Sequence, residues 1–145
     1  MPLGSTFEAD LLNLFLCAKA IANIADNAAA SPSTNTWIAL HTADPSSGNQ
    51  ATSEVALTGY TRVGVIRSTA GFTVTGSGPA TASPVSAITF PQLTSTSTGT
   101  ATHWSIGTSS AGTGKLLASG AISPTISMAQ NVTPQLTTAS SITLS

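Results

Sequence analysis

Side chains able to do chemistry are few in this sequence, and each grouping of them lacks a component that the chemistry would need. His41 and His103 are the two histidines, each near a tryptophan, and with Asp44 or Glu54 they offer the imidazole and carboxylate ligands that zinc accepts. No two of these stand at the spacing of a ligand pair. Both histidines are therefore expected to hydrogen-bond locally or to pack with their aromatic neighbours. The turn from Gly107 to Lys115 is glycine-rich and ends in Gly114-Lys115, which invites comparison with a phosphate loop. A phosphate loop needs glycine where Ser109 stands and a magnesium-holding hydroxyl where Leu116 stands, and it opens a helix rather than a strand. A hairpin loop is expected instead. Serine and threonine fill roughly a third of the positions, well above ordinary usage, yet no Gly-x-Ser-x-Gly elbow is present. Five scattered acids form no evident acid–base pair. The reading is a chain that is not an enzyme, with no catalytic residue, no metal site and no cofactor.

Two further motifs carry little. Cys17 is the one cysteine, which rules out an intramolecular disulfide, and its apolar surroundings predict a buried, inert thiol. Asn131-Val132-Thr133 matches a glycosylation acceptor. With no secretory signal at the amino terminus and Pro134 directly after, the match is read as chance. No stretch approaches the roughly eighteen apolar residues of a membrane span, so a chain made in the cytosol that stays soluble is expected.

The elements that would position any site begin with a helix. Ser5 and Glu8 have capping-box spacing, and Phe7, Leu11, Leu14, Phe15, Ala18, Ala22 and Ala25 recur at three- and four-residue intervals, predicting a helix from Ser5 to about Asn27. Leu12, Leu16, Ile21 and Ile24 widen the apolar face, so this helix needs cover from more than one direction, from its own sheet or from a neighbouring subunit. Thr36 to Pro45 follows as an apolar strand. Trp37, Ala39 and His41 share one face and Ile38, Leu40 and Thr42 the other, which suits a central strand covered on both sides and stopped by Asp44-Pro45. Further strands are expected at Gly59–Arg67, Phe72–Thr75, Val85–Phe90, His103–Ile106, Lys115–Ile122, Ile126–Val132 and Ser141–Leu144, with a surface loop over Gln92–Thr102. About seven or eight short strands without helical crossovers predict a mainly β fold, an antiparallel sandwich or open barrel with one amino-terminal helix. Residues 1–35 would hold helix and connector and 36–145 the β-sandwich, packed as one compact unit.

Composition narrows the function. Charged residues make up 6% of 145 positions and the net charge is −1, which lacks the basic footprint of a nucleic-acid binder. A nearly neutral surface is weakly defended against association, so the chain is expected to belong to an assembly. A carbohydrate-binding module is one possibility on the strength of Trp37, Tyr60, Phe72 and Trp104, although each of these aromatics lies among apolar neighbours that predict core packing.

The chain resembles a family of small structural proteins of tailed bacteriophages, some described as tail-fibre proteins and some similar to capsid decoration or cement proteins. The resemblance is carried by the amphipathic helix, by Trp37-Ile38-Ala39-Leu40-His41-Thr42-Ala43-Asp44-Pro45, by Glu54-Val55 and Gly59-Tyr60-Thr61-Arg62-Val63, by Ala87-Ile88-Thr89-Phe90-Pro91, by Thr102-His103-Trp104-Ser105-Ile106-Gly107 and by Gly114-Lys115-Leu116-Leu117-Ala118-Ser119-Gly120-Ala121. It implies a virion structural protein, foremost a cement protein on the capsid surface that bridges major capsid subunits as a homo-oligomer, a trimer being the expected form. A tail-fibre or baseplate component touching the host surface is the alternative; against it stands the lack of a long repetitive shaft. Phe7, Leu11, Leu14 and Phe15 are the candidate interface residues, and each large apolar side chain newly covered would contribute about 1.5–3 kcal/mol before ordering costs.

Overall fold

A computed structural model describes residues 5–20 and 33–144, with side chains from Ala9 onward in the helix. The fold is mainly β, with a single helix among the described residues and nine strands in antiparallel sheets, as the alternation and turn signals predict. The chain divides into two compact units. The first comprises Met1–Asn35, Ile66–Ser86 and Thr137–Ser145, and the second Thr36–Val65 and Ala87–Leu136.

In the first unit, helix α1 (Ser5–Cys17) is shorter than its apolar period predicts. Ala18 takes a left-handed φ of 54° and the Lys19 N–H donates to the Asn13 carbonyl at 3.1 Å, which closes the helix. The last turn has no basic residue of its own. Arg67 supplies the charge from elsewhere in the chain, its Nε donating to the Phe15 carbonyl at 2.7 Å and its Nη2 to that of Leu14 at 2.5 Å. A cation there meets the negative end of the helix dipole and satisfies carbonyls that have no partner within the helix. Ile21, Ala22, Ile24 and Ala25, on which the longer helix rested, lie outside the described residues.

Helix α1 packs on a three-stranded sheet ordered β3-β4-β9, built from β3 (Phe72–Thr75), β4 (Ala80–Pro84) and β9 (Ile142–Leu144). Leu12, Leu16 and Cys17 are buried, and the Cys17 thiol donates to the Phe72 carbonyl. The register pairs Phe72 with Pro84, Val74 with Ala82, Ala80 with Leu144 and Ala82 with Ile142, so these apolar residues share one face. The opposite face consists of hydroxyls alone: Thr73 pairs with Ser83, Thr75 with Thr81 and Thr81 with Thr143. The Thr81 and Thr143 hydroxyls are 2.9 Å apart.

The second unit is built on a four-stranded sheet ordered β2-β1-β6-β7, from β1 (Asn35–His41), β2 (Val63–Ile66), β6 (Gly99–Gly107) and β7 (Leu116–Met128). Strand β1 is internal and Ile38, Ala39, Leu40 and His41 are fully buried, the central strand that its two apolar faces predict. A short pair, β5 (Ile88–Thr89) with β8 (Gln135–Leu136), adds Ile88 and Leu136 to a core that includes Phe90, Leu93, Ala101, Trp104, Ile106 and Met128.

Several strands differ from expectation. Gly59 to Arg62 is not strand, because Gly59 turns with φ 92° against the backbone of Gln92 and Thr94, and Tyr60 folds inward to stack on Phe90 at 6.0 Å. The two strands expected between Lys115 and Val132 are one, β7, which absorbs its irregularity opposite β6. Gln92–Thr102 is not all surface loop: Leu93 and Ser95 are buried, and β6 begins at Gly99. Leu93 exchanges backbone hydrogen bonds with Asn131 and Val132, and Asn131 takes φ 66°. The Asn131-Val132-Thr133 sequence thus marks a turn in which asparagine tolerates a left-handed backbone.

Candidate functional site

Among the described residues the densest polar construction lies in the second unit and centres on Arg62, whose side chain is 1% exposed. Its Nε and Nη2 clamp the two oxygens of Glu54 at 2.7 and 2.6 Å. Its Nη1 donates to the Ser109 carbonyl at 2.8 Å and to Gln50 Oε1 at 3.3 Å, and Nη2 donates again to the Gly112 carbonyl at 2.7 Å. All five guanidinium N–H groups are thereby used. A buried charge needs such complete pairing, since each partner lost would leave an uncompensated ion away from water.

Gln50, fully buried, extends the network. Its Nε2 donates to the Trp37 carbonyl at 2.8 Å, its Oε1 accepts from the Ser109 N–H, and its own N–H donates to the Gly114 carbonyl. The glycines of the 107–115 turn have their reason here. A Cβ on Gly107 would lie 2.0 Å from Gln50 Cδ, and one on Gly114 2.5 Å from Gln50 Oε1. The glycine-rich turn makes room for a buried amide, and two of its carbonyls are held by Arg62, which leaves Ser110, Ala111 and Thr113 exposed on an anchored hairpin.

Tyr60 joins the network from the other side. Its hydroxyl accepts from the Leu40 N–H at 2.8 Å and donates to Glu54 Oε1 at 3.3 Å. Burial pushes its phenol well above the usual range, so it stays protonated. His41 Nδ1 lies 2.9 Å from the Thr52 carbonyl and Nε2 lies 2.7 Å from Ser105 Oγ. A carbonyl only accepts, so Nδ1 carries the proton and Nε2 accepts from the serine hydroxyl. Burial holds this imidazole below its ordinary value, and it is neutral. Burial likewise raises the Cys17 thiol. Each of these groups has a hydrogen-bond partner within the protein.

The other positions singled out from sequence fall as follows. Trp37 is half-buried with its ring over Gly64, where a Cβ would come within 3.2 Å of Cη2, and the buried Trp104 lies in the same way against Gly120. His103 is the cross-strand partner of His41, with Nδ1 2.9 Å from Thr102 Oγ1. Asp44 is exposed and accepts from the Ser46 N–H at 2.9 Å, a bond that lowers its carboxyl below the usual range; Pro45 beside it is buried. Among the described residues no three His, Cys, Asp or Glu side chains gather as a metal site would require. No helix among them is long and apolar enough to cross a membrane.

Of the candidate interface residues, Leu11 and Leu14 are half-buried, Phe15 is 42% exposed, and the side chain of Phe7 lies outside the described residues. The buried residues of α1 are Leu12, Leu16 and Cys17. Ile66 and Val85 join Phe15 as exposed large apolar residues of the first unit, and Leu117 is the exposed one of the second. Sequence reasoning noted Glu54 and Arg62 separately and passed over Gln50. The available signal was scarcity: in a chain with nine charged residues, an arginine and a glutamate eight positions apart across a glycine-containing turn are a conspicuous pair.

Comparison with known proteins gives one family: residues 14–145 match the family described as Podophage GP4 fiber I protein gp80. No curated protein matches the chain.

Proposed function

The chain belongs to the podophage GP4 fiber I protein gp80 family and is a tailed-phage structural protein of the virion; on that premise we propose that it is a non-enzymatic subunit of the phage fibre, joined to further copies and to other virion proteins through neutral surfaces. The single observation that carries the fibre assignment is the family match, which spans all but the first thirteen positions. The geometry supports the non-enzymatic part. Arg62, Glu54, Tyr60 and His41, the groups with chemical potential, are turned inward and hydrogen-bonded to one another or to backbone. What faces outward is largely hydroxyl and small apolar. Neither a nucleic acid nor a membrane is a proposed partner, since the basic charge that would hold a polyanion or an anionic lipid surface is lacking.

Capsid decoration is the second reading, favoured by the hydroxyl face of the first unit. Thr73, Thr75, Thr81, Ser83 and Thr143 form an uncharged sheet surface suited to lying on another protein, the major capsid protein in this case. Phe15 would serve either reading as an anchor. Immunogold labelling of purified virions, with quantitative mass spectrometry of copy number, separates them. Label at the tail with far fewer copies than the shell subunit is the expected result. Label over the head at a copy number comparable with the shell subunit would replace the fibre by decoration.

A further inference from the structure

The second unit has one long edge strand that carries no charge. In the order β2-β1-β6-β7 the terminal strand β7 runs 13 residues, against about 5–6 for an ordinary strand, and has β6 on one side with no strand beyond it among the described residues. The other terminal strands are short: β2 and β3 have four residues each and β9 has three. Soluble proteins blunt exposed edges with charge, proline, bulges or brevity, because a row of free N–H and C=O groups is a template for another strand. From Leu116 to Met128 there is no Asp, Glu, Lys or Arg. Two devices are present: a register shift between Ile106 and Gly107 that leaves Leu117 without a cross-strand partner, and the middle of β7, where Ile122 to Thr125, including Pro124, stand opposite the single residue Thr102. Between them Ala118 to Ala121 is a regular, uncharged edge, held in register by pairs from Ile106 with Ala118 to His103 with Ala121, and Leu116 and Leu117 flank it.

We propose that Leu116–Ala121 pairs antiparallel with the same segment of a second copy of this chain, joining two four-stranded sheets into one. The reading rests on the proposed role as a multi-copy virion component and names the surface through which copies meet. An edge of free amides and carbonyls is satisfied by extended backbone, so the occupant is a strand. The choice of the same chain follows from charge. Antiparallel self-pairing about a two-fold axis brings each residue type against its own neighbourhood, where any charge would meet its like; this segment has none. With a net charge of −1 the copies have almost no long-range repulsion to overcome. The side chains on the segment are small except for Leu116 and Leu117, so two backbones can approach, and the exposed Leu117 gains cover.

Sedimentation velocity on the full chain over a concentration series tests this, with three proteins compared. The unaltered chain is expected to pass from monomer to dimer. The double variant Leu117→Lys, Ala121→Lys should weaken that association by about tenfold or more, since it brings like charges together on the shared edge. Ser123→Lys with Thr125→Lys, in the irregular middle of β7, should leave it unchanged. A chain that stays monomeric throughout, or a folded Leu117→Lys, Ala121→Lys protein that associates as strongly as the parent, overturns the proposal. Hydrogen exchange on the unaltered protein keeps the test independent of variant folding: amides within Leu116–Ala121 should gain protection as concentration rises. Protection that appears only on adding virions lacking the protein would assign the edge to another virion protein and end the self-pairing claim. Immunogold placement on tail or head is read separately, so failure here and failure of the fibre assignment are distinguishable.

Discussion

At the scale of single residues, the second unit depends on an ion pair that is costly to break. Removing the Arg62 head group leaves Glu54 without its bidentate partner and frees the carbonyls of Ser109 and Gly112. Arg62→Met is expected to lower stability by about 3–5 kcal/mol in urea titration, and adding Glu54→Gln should restore part of the loss by removing the stranded charge. His41 gives a pH dependence of definite sign. Burial places its folded-state pKa below the ordinary 6.5, so the unfolded chain binds the proton first. Its contribution is complete above that value and is lost as pH falls from there toward the folded-state pKa. Urea midpoints measured downward from about pH 7.5 should therefore drop in the parent protein and drop less in His41→Gln. Little of this was legible beforehand. His41 was recognised as a local hydrogen-bonder from its place in an apolar strand, but its partners Thr52 and Ser105 are 11 and 64 positions away. The buried Arg62 fell only within the strand expected at Gly59–Arg67, because nothing in a local pattern announces a guanidinium satisfied by loops nearly 50 positions later.

At the scale of elements, the strands with clear alternation or apolar runs were legible, and those made of small residues were not. Strand β3 coincides with its sequence signal and β1 lies where its apolar run placed it, ending at His41 before Asp44-Pro45, whereas β4, Ala-Thr-Ala-Ser-Pro, has no large apolar residue to reveal its buried face. Phe72 on one side and Ile142 with Leu144 on the other supply the bulk that it lacks. The helix was legible in its start and not in its stop. Its apolar period continues past Cys17, but Arg67 closes the last carbonyls and Ala18 turns left-handed, neither of which hydrophobic spacing reports. An alanine at positive φ is strained where glycine is not. Ala18→Gly is accordingly expected to raise the stability of the first unit by about 0.5–1 kcal/mol, read as a higher urea midpoint with unchanged helical circular dichroism.

At the scale of the whole molecule, composition gave the most general conclusion and family membership the most specific one. In a chain with 6% charged residues, the edge pairing proposed above leaves little for salt to screen. Its self-association constant is expected to change by less than about twofold between low and molar sodium chloride, measured by sedimentation, whereas a charge-driven assembly would weaken steeply. The division into units was not visible in the sequence, because each unit is assembled from separated stretches and no composition shift marks the crossings. That interleaving sets a timetable for synthesis. The second unit has its last residue, Leu136, in hand while the first still waits for the three-residue strand that emerges at positions 142 to 144. The amino-terminal helix, made first, is thus among the last parts to find its complete sheet, and a ribosome that stalled shortly after Leu136 would release one finished half and one half missing its final strand.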